Sequence, residues 1–145
     1  MEQERMGYLL TRAAKTIKKK LLRIVSDYDL TQPQYGILRQ LYTQGEITSR
    51  DLVKQLYMDS STIMAIVDRL EEKKLIERMP HQQDRRMNML VLTDLAMQFL
   101  PEMLEKADTM DMAMNDIFTS EENIILRQCL TKLYLFGADI QKDNR

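Results

Sequence analysis

Apolar residues Met6, Leu9, Leu10, Ala13, Ile17, Leu21, Ile24 and Val25 recur at steps of three and four, which predicts one long amphipathic helix over residues 3–28. The pattern breaks at Asp29. Thr31-Gln32-Pro33-Gln34 then reads as a helix start, with Thr31 as N-cap, Gln34 completing a capping box and Pro33 in the first turn, where its missing N–H costs nothing. This second helix is expected to run to Thr43. Beyond the turn Gln44-Gly45-Glu46, Thr48 with Asp51 opens a short third helix carrying Leu52, Val53 and Leu56. Asp59-Ser60-Ser61-Thr62 supplies cap residues for a fourth, whose apolar stripe is Ile63, Ile66, Val67 and Leu70 and whose end falls near Lys73-Lys74.

Residues 75–79 and 88–92 are β-like, and the loop between them, Pro80-His81-Gln82-Gln83-Asp84-Arg85-Arg86, is polar with no apolar anchor. They predict a β-hairpin with a long basic tip. Thr93-Asp94 caps a fifth helix reaching about residue 115, which Pro101 is expected to kink, and a capping box from Thr119 to Glu122 opens a last helix through Ile140. There is no internal repeat or Gly/Ser-rich linker. The expected fold is mainly α with a small β-hairpin wing. Two short capped helices followed by a hairpin form the winged helix-turn-helix arrangement.

Composition narrows the function classes. At 145 residues, with 44% apolar and 30% charged residues, the chain suits one globular unit or one unit with an interaction appendage. No stretch approaches the roughly 20 apolar residues of a membrane span, and the N-terminus has no secretory pattern, so a cytoplasmic protein is expected. One cysteine, Cys129, and one histidine, His81, leave a zinc site short of ligands. Neither metal nor cofactor is expected. A net charge of −1 conceals polarity: Arg12, Lys15, Lys18, Lys19, Lys20 and Arg23 fall in a stretch with no acid, whereas Glu105, Asp108, Asp111, Asp116 and Glu121 dominate residues 102–122.

At about 100° per residue the stripe of the fourth helix turns inward and leaves Ser61, Ala65 and Asp68 opposite, with Ser60, Thr62 and Met64 on the flanks. Small and hydroxyl-bearing side chains at an exposed helix start suit close approach to a DNA major groove. The same string is also an ordinary N-cap. A hairpin tip carrying Asp84, Arg85 and Arg86 follows, placed where a wing would reach the adjacent minor groove.

Leu30-Thr31-Gln32-Pro33-Gln34-Tyr35-Gly36-Ile37-Leu38, Asp51-Leu52-Val53, Asp59-Ser60-Ser61-Thr62-Ile63, Val67-Asp68-Arg69-Leu70-Glu71, Leu75-Ile76-Glu77-Arg78, Asp84-Arg85-Arg86 and Leu92-Thr93 resemble the MarR family in order and spacing. The resemblance covers residues 30 to 95. It implies a ligand-responsive repressor that binds a pseudo-palindromic double-stranded DNA operator as a homodimer. Residues 1–29 would be an N-terminal dimerisation helix, residues 30–93 the DNA-binding lobe and residues 94–145 the connecting and C-terminal dimerisation helices. Carried over by position, Ser60, Ser61 and Thr62 are recognition-helix contacts, Arg86 is a minor-groove arginine, Asp84 orients it and Arg85 meets phosphate. Met64 and Ala65 complete the set, although they stand where family members often carry Thr and a polar or basic residue, so base preference is not transferable. Lys74 and Ala96 replace common glycines, a change expected to alter local backbone geometry. Asp68 and Arg69 are read as structural.

Other classes fare worse. An enzyme lacks a phosphate loop and a nucleophile–base pair. Asp108, Asp111 and Asp116 gather no compact cation loop. A winged-helix interaction module without DNA binding would fit the near-neutral charge, but Arg85 and Arg86 speak for DNA. Cys129, midway through an apolar helix, reads as packing rather than as a redox sensor. His81 reads as exposed, or as a weak phosphate contact. The methionines at Met97, Met103, Met110, Met112 and Met114 suit either an effector pocket or ordinary gap filling.

Overall fold

The computed structural model describes residues 5–84 and 87–143. Its elements are α1 (Met6–Ser26), α2 (Gln32–Gln44), β1 (Ile47–Thr48), α3 (Ser49–Leu56), α4 (Ser60–Glu72), β2 (Ile76–Pro80), β3 (Asn88–Leu92), α5 (Asp94–Asn115) and α6 (Ser120–Asp143). They divide into two compact units, residues 1–107 and 108–145.

Local chemistry accounts for most of the boundaries between α2 and β2. The Thr31 hydroxyl accepts the Gln34 N–H at 3.4 Å while Gln34 Oε1 accepts the Thr31 N–H at 3.0 Å, the reciprocal box foreseen from the sequence. At the far end of α2, Gly45 adopts a φ of 85° and donates to the Leu41 carbonyl at 2.8 Å, a conformation that a side chain would strain. Thr48 accepts the Asp51 N–H at 3.1 Å and donates its own proton to Asp51 Oδ2 at 2.7 Å, which starts α3. Three left-handed residues make the sharp exits: Asp29 (φ 54°) lies between α1 and α2, Tyr57 (φ 53°) ends α3, and Lys74 (φ 57°) lies between α4 and β2. Lys74 thus holds a left-handed backbone of the kind that glycine favours.

The hairpin pairs β2 with β3 from Ile76↔Leu92 to Pro80↔Asn88. A third strand was not anticipated. Ile47, to which no element was assigned, and Thr48, read as a cap, pair with Leu90 and Met89, giving a sheet in the order β1-β3-β2. Two residues carry no periodicity of their own, and only their distant partner defines them as a strand.

One core joins these elements. Ile63, Val67 and Leu70 of α4 are fully buried together with Ile37, Leu38 and Leu41 of α2, Leu52 of α3, Ile76 and Leu90 of the hairpin and Leu100 and Met103 of α5; Ile66 packs at its margin. Tyr28 stacks on Phe99 with ring centroids 5.5 Å apart, and its hydroxyl donates to Glu102 at 3.1 Å and accepts from Lys106 at 2.9 Å. These bonds and the Lys106–Glu102 ion pair hold the Glu102 carboxyl below and the Lys106 ammonium above their ordinary ranges. The start of α5 is set by Thr93, whose Oγ1 accepts the Ala96 N–H at 3.2 Å. Ala96 is itself fully buried. The helix continues through Pro101, although Pro101 has no N–H to offer the Met97 carbonyl.

In the second unit a capping box, with Thr119 N–H on Glu122 Oε2 at 2.8 Å and Glu122 N–H on Thr119 Oγ1 at 3.2 Å, starts α6. Asn123 and Arg127 donate to Asn115 at 2.9 Å and 2.8 Å, fixing the turn from the end of α5. Within this chain the described large apolar side chains of α6 are open to solvent, with Ile125 at 59% and Phe136 at 66% exposure, and Cys129 is exposed among them. The expectation that Cys129 is packed does not hold for the single chain, because α6 has no partner within its own unit to cover that face.

Candidate nucleic-acid interface

The start of α4 is organised by Asp59. With extended backbone (ψ 155°), its carboxylate caps the helix by accepting the Thr62 N–H at 2.9 Å, the Ser61 hydroxyl at 2.5 Å and the Thr62 hydroxyl at 2.6 Å. The Ser61 hydroxyl, then the Thr62 hydroxyl and N–H, hold the Asp59 carboxyl far below the ordinary aspartate range. Both readings of this string therefore meet in one place: it is an N-cap, and it is also an open surface. Ser60, Ser61, Met64 (37%), Ala65 and Asp68 are exposed and Thr62 is half-buried, as the helical periodicity requires. What the sequence reading missed is the state of the hydroxyls. The Ser61 and Thr62 hydroxyls each donate their hydrogen bond to Asp59, which leaves lone pairs as what each can offer a further partner.

The hairpin stands beside this face. At its tip the Met87 N–H bonds the Asp84 carbonyl at 3.0 Å and the His81 N–H bonds the Met87 carbonyl at 3.1 Å. The ring of His81 is a structural part of the turn. Its Nδ1 accepts the N–H groups of Gln83 and Asp84 at 3.2 and 3.1 Å, which places the proton of a neutral ring on Nε2. His81 is half-buried, which corrects the view of it as a merely exposed loop residue. Asp84 is exposed at the tip, and the expected wing residues Arg85 and Arg86 lie outside the described residues.

Between hairpin and helix lies a two-pronged ion pair that the sequence did not reveal. Arg78 of β2 donates through Nη1 to Glu71 and through Nη2 to Asp68, both on α4. Elsewhere, the basic residues Arg12, Lys15, Lys18, Lys19, Lys20 and Arg23 of α1 are all exposed, and that helix carries no acid. Among the described residues no three His, Cys, Asp or Glu side chains converge on a metal-sized site, and no helix is long and apolar enough to cross a membrane.

Two short capped helices joined by a tight turn, the second presenting small hydroxylated residues beside an antiparallel hairpin, define a winged helix-turn-helix protein. Comparison with known proteins makes the class specific. The model of the MarR family matches residues 30–87. The chain is 32% identical over 124 residues to the HTH-type transcriptional regulator YsmB of Bacillus subtilis, spanning 86% of this chain and 85% of that protein. Its fold is similar to that of MepR in the S. aureus MepR–DNA complex, with a TM-score of 0.82, 27% identity, and coverage of 91% of this chain and 98% of that one. It is also similar to Bordetella bronchiseptica BpsR, solved in a study of how 6-hydroxynicotinic acid regulates its DNA binding, with a TM-score of 0.78, 25% identity, and coverage of 92% and 96%. The chain belongs to the MarR family, whose members are transcriptional regulators, and it is a DNA-binding regulator of winged helix-turn-helix type.

Proposed function

We propose that this regulator binds a pseudo-palindromic double-stranded operator as a homodimer and releases it in response to a small molecule, acting as a repressor in the cytoplasm. In this reading residues 30–93 form the DNA-binding lobe. Ser60, Ser61, Thr62, Met64 and Ala65 lie in the major groove, Arg86 enters the minor groove with Asp84 orienting it, and Arg85 meets phosphate. Residues 1–29 and 94–145 make the dimer.

The observation that carries the proposal is the exposed start of α4, built of small residues on a rigid helix beside the hairpin. A bulky or buried helix start could not approach base edges. Similarity to MepR, solved on DNA, supports the binding mode, and similarity to BpsR, whose DNA binding 6-hydroxynicotinic acid regulates, supports an effector. The uncovered apolar residues of α6 support the dimer, because clustered exposed apolar side chains are characteristic of interaction surfaces.

Titrating the protein into a labelled random-sequence duplex at about 50 mM salt tests the reading, since phosphate contacts dominate affinity there and weaken steeply toward about 200 mM. Salt-sensitive binding at micromolar protein is expected. Absence of binding would return the chain to the class of interaction modules.

A further inference from the structure

One side chain ties the hairpin to the helix beside it. Arg78, at the centre of β2, holds Asp68 with one guanidinium nitrogen and Glu71 with another, across ten and seven residues of sequence. Its side chain is only 24% exposed, against 57% for Asp68 and 39% for Glu71. Asp68 continues the exposed stripe of Ser61 and Ala65, so its carboxylate stands on the surface of α4 that faces away from the core. An acid there would repel a polyanion.

On the reading that α4 docks on DNA, we propose that Arg78 is a positioning residue that shields the recognition helix. It neutralises Asp68 and Glu71 and draws their carboxylates toward the hairpin and away from phosphate, without itself touching DNA. The pair bridges a part-buried guanidinium to two more exposed carboxylates, so its effect on binding is separated from its effect on folding by measuring both. The three side chains together carry a charge of −1. Removing the arginine alone leaves −2, whereas neutralising both acids as well leaves 0.

The charge ladder fixes the order of affinities. Each charge facing DNA changes the slope of log affinity against log salt by about 0.9, so at about 50 mM salt one charge corresponds to about a tenfold change relative to 1 M. Binding of a random-sequence duplex should therefore fall about tenfold in Arg78→Ala at low salt, with a shallower salt slope. The triple variant Arg78→Ala/Asp68→Asn/Glu71→Gln should bind at least as tightly as the unaltered protein. Thermal unfolding and sedimentation monitor folding and assembly, and Arg78→Gln, which keeps most of the length of the side chain, provides the same comparison should the alanine variant be unstable. A triple variant as weak as Arg78→Ala would overturn the shield, since the arginine itself would then be needed at the DNA. Parental affinity of a folded single variant would overturn it equally. Failure of the unaltered protein to bind would instead remove the DNA-docking reading, and the shield with it.

Discussion

At the scale of single residues, two unusual arrangements stand at the ends of α4, the helix proposed to enter the major groove. Asp59 accepts the hydrogen bonds of the Ser61 and Thr62 hydroxyls, so these two oxygens offer acceptors, and phosphate, which also only accepts, is a poor partner for them. Bases carrying an exocyclic amino group in the major groove, adenine or cytosine, are the complementary readout. Operators selected from random duplexes should therefore favour adenine or cytosine over guanine or thymine at the position that Ser61 contacts, and Ser61→Ala should relax that preference while leaving the salt dependence unchanged. Arg86→Ala should instead weaken binding to all sequences and reduce the salt slope by about one unit.

Protonation of Asp59 gives a second residue-level expectation. Because its folded-state carboxyl titrates below the unfolded one, its contribution to stability is complete above the ordinary aspartate range and is lost as pH falls through the folded-state value. Thermal unfolding of Asp59→Asn should consequently lose less between neutral and acid pH than the parent does; parallel curves would contradict the cap. At the other end, Lys74 holds a left-handed φ of 57° that favours glycine. Lys74→Gly is expected to stabilise the protein by about 0.5–1 kcal/mol, the relief of strain exceeding the added freedom of the unfolded chain, as measured by denaturant unfolding.

At the scale of elements, what could be read from the sequence followed the range of the interactions that specify it. Thr31, Thr48, Asp59, Thr93 and Thr119 each act on a partner three residues away, so the starts of α2 to α6 were visible locally. The inward stripe of α4 was visible for the same reason. β1 was not, because Ile47 and Thr48 become a strand only through Leu90 and Met89. Arg78 was equally hidden, since nothing in β2 marks its centre as the partner of two acids on the preceding helix. The capture of the Ser61 and Thr62 hydroxyls did have a local signal, an aspartate two and three residues before them, but it was read as a cap alone.

At the scale of the whole molecule, the family and its winged helix-turn-helix fold were legible from the ordered motifs, and the apolar surplus of the last helix, more than a lobe of about 65 residues covers, pointed to a second copy as its partner. Ile125, Leu130, Leu133 and Phe136 remain exposed in the single chain, and their burial against a second copy would make the obligate type of interface, typically above about 2,000 Å². Leu133→Asp should shift the protein from dimer to monomer in sedimentation and abolish tight DNA binding with it, while the thermal transition of the residue 1–107 unit persists. A dimer unaffected by a charge at Leu133 would move the interface elsewhere. The account as a whole rests on two copies presenting two equivalent α4 helices to DNA, and footprinting on an operator selected from random duplexes tests it most directly. A protected region with dyad symmetry and half-sites about 10 base pairs apart, or a multiple of that spacing, is the expected result. A footprint without dyad symmetry, or a selection that enriches no sequence, would contradict it.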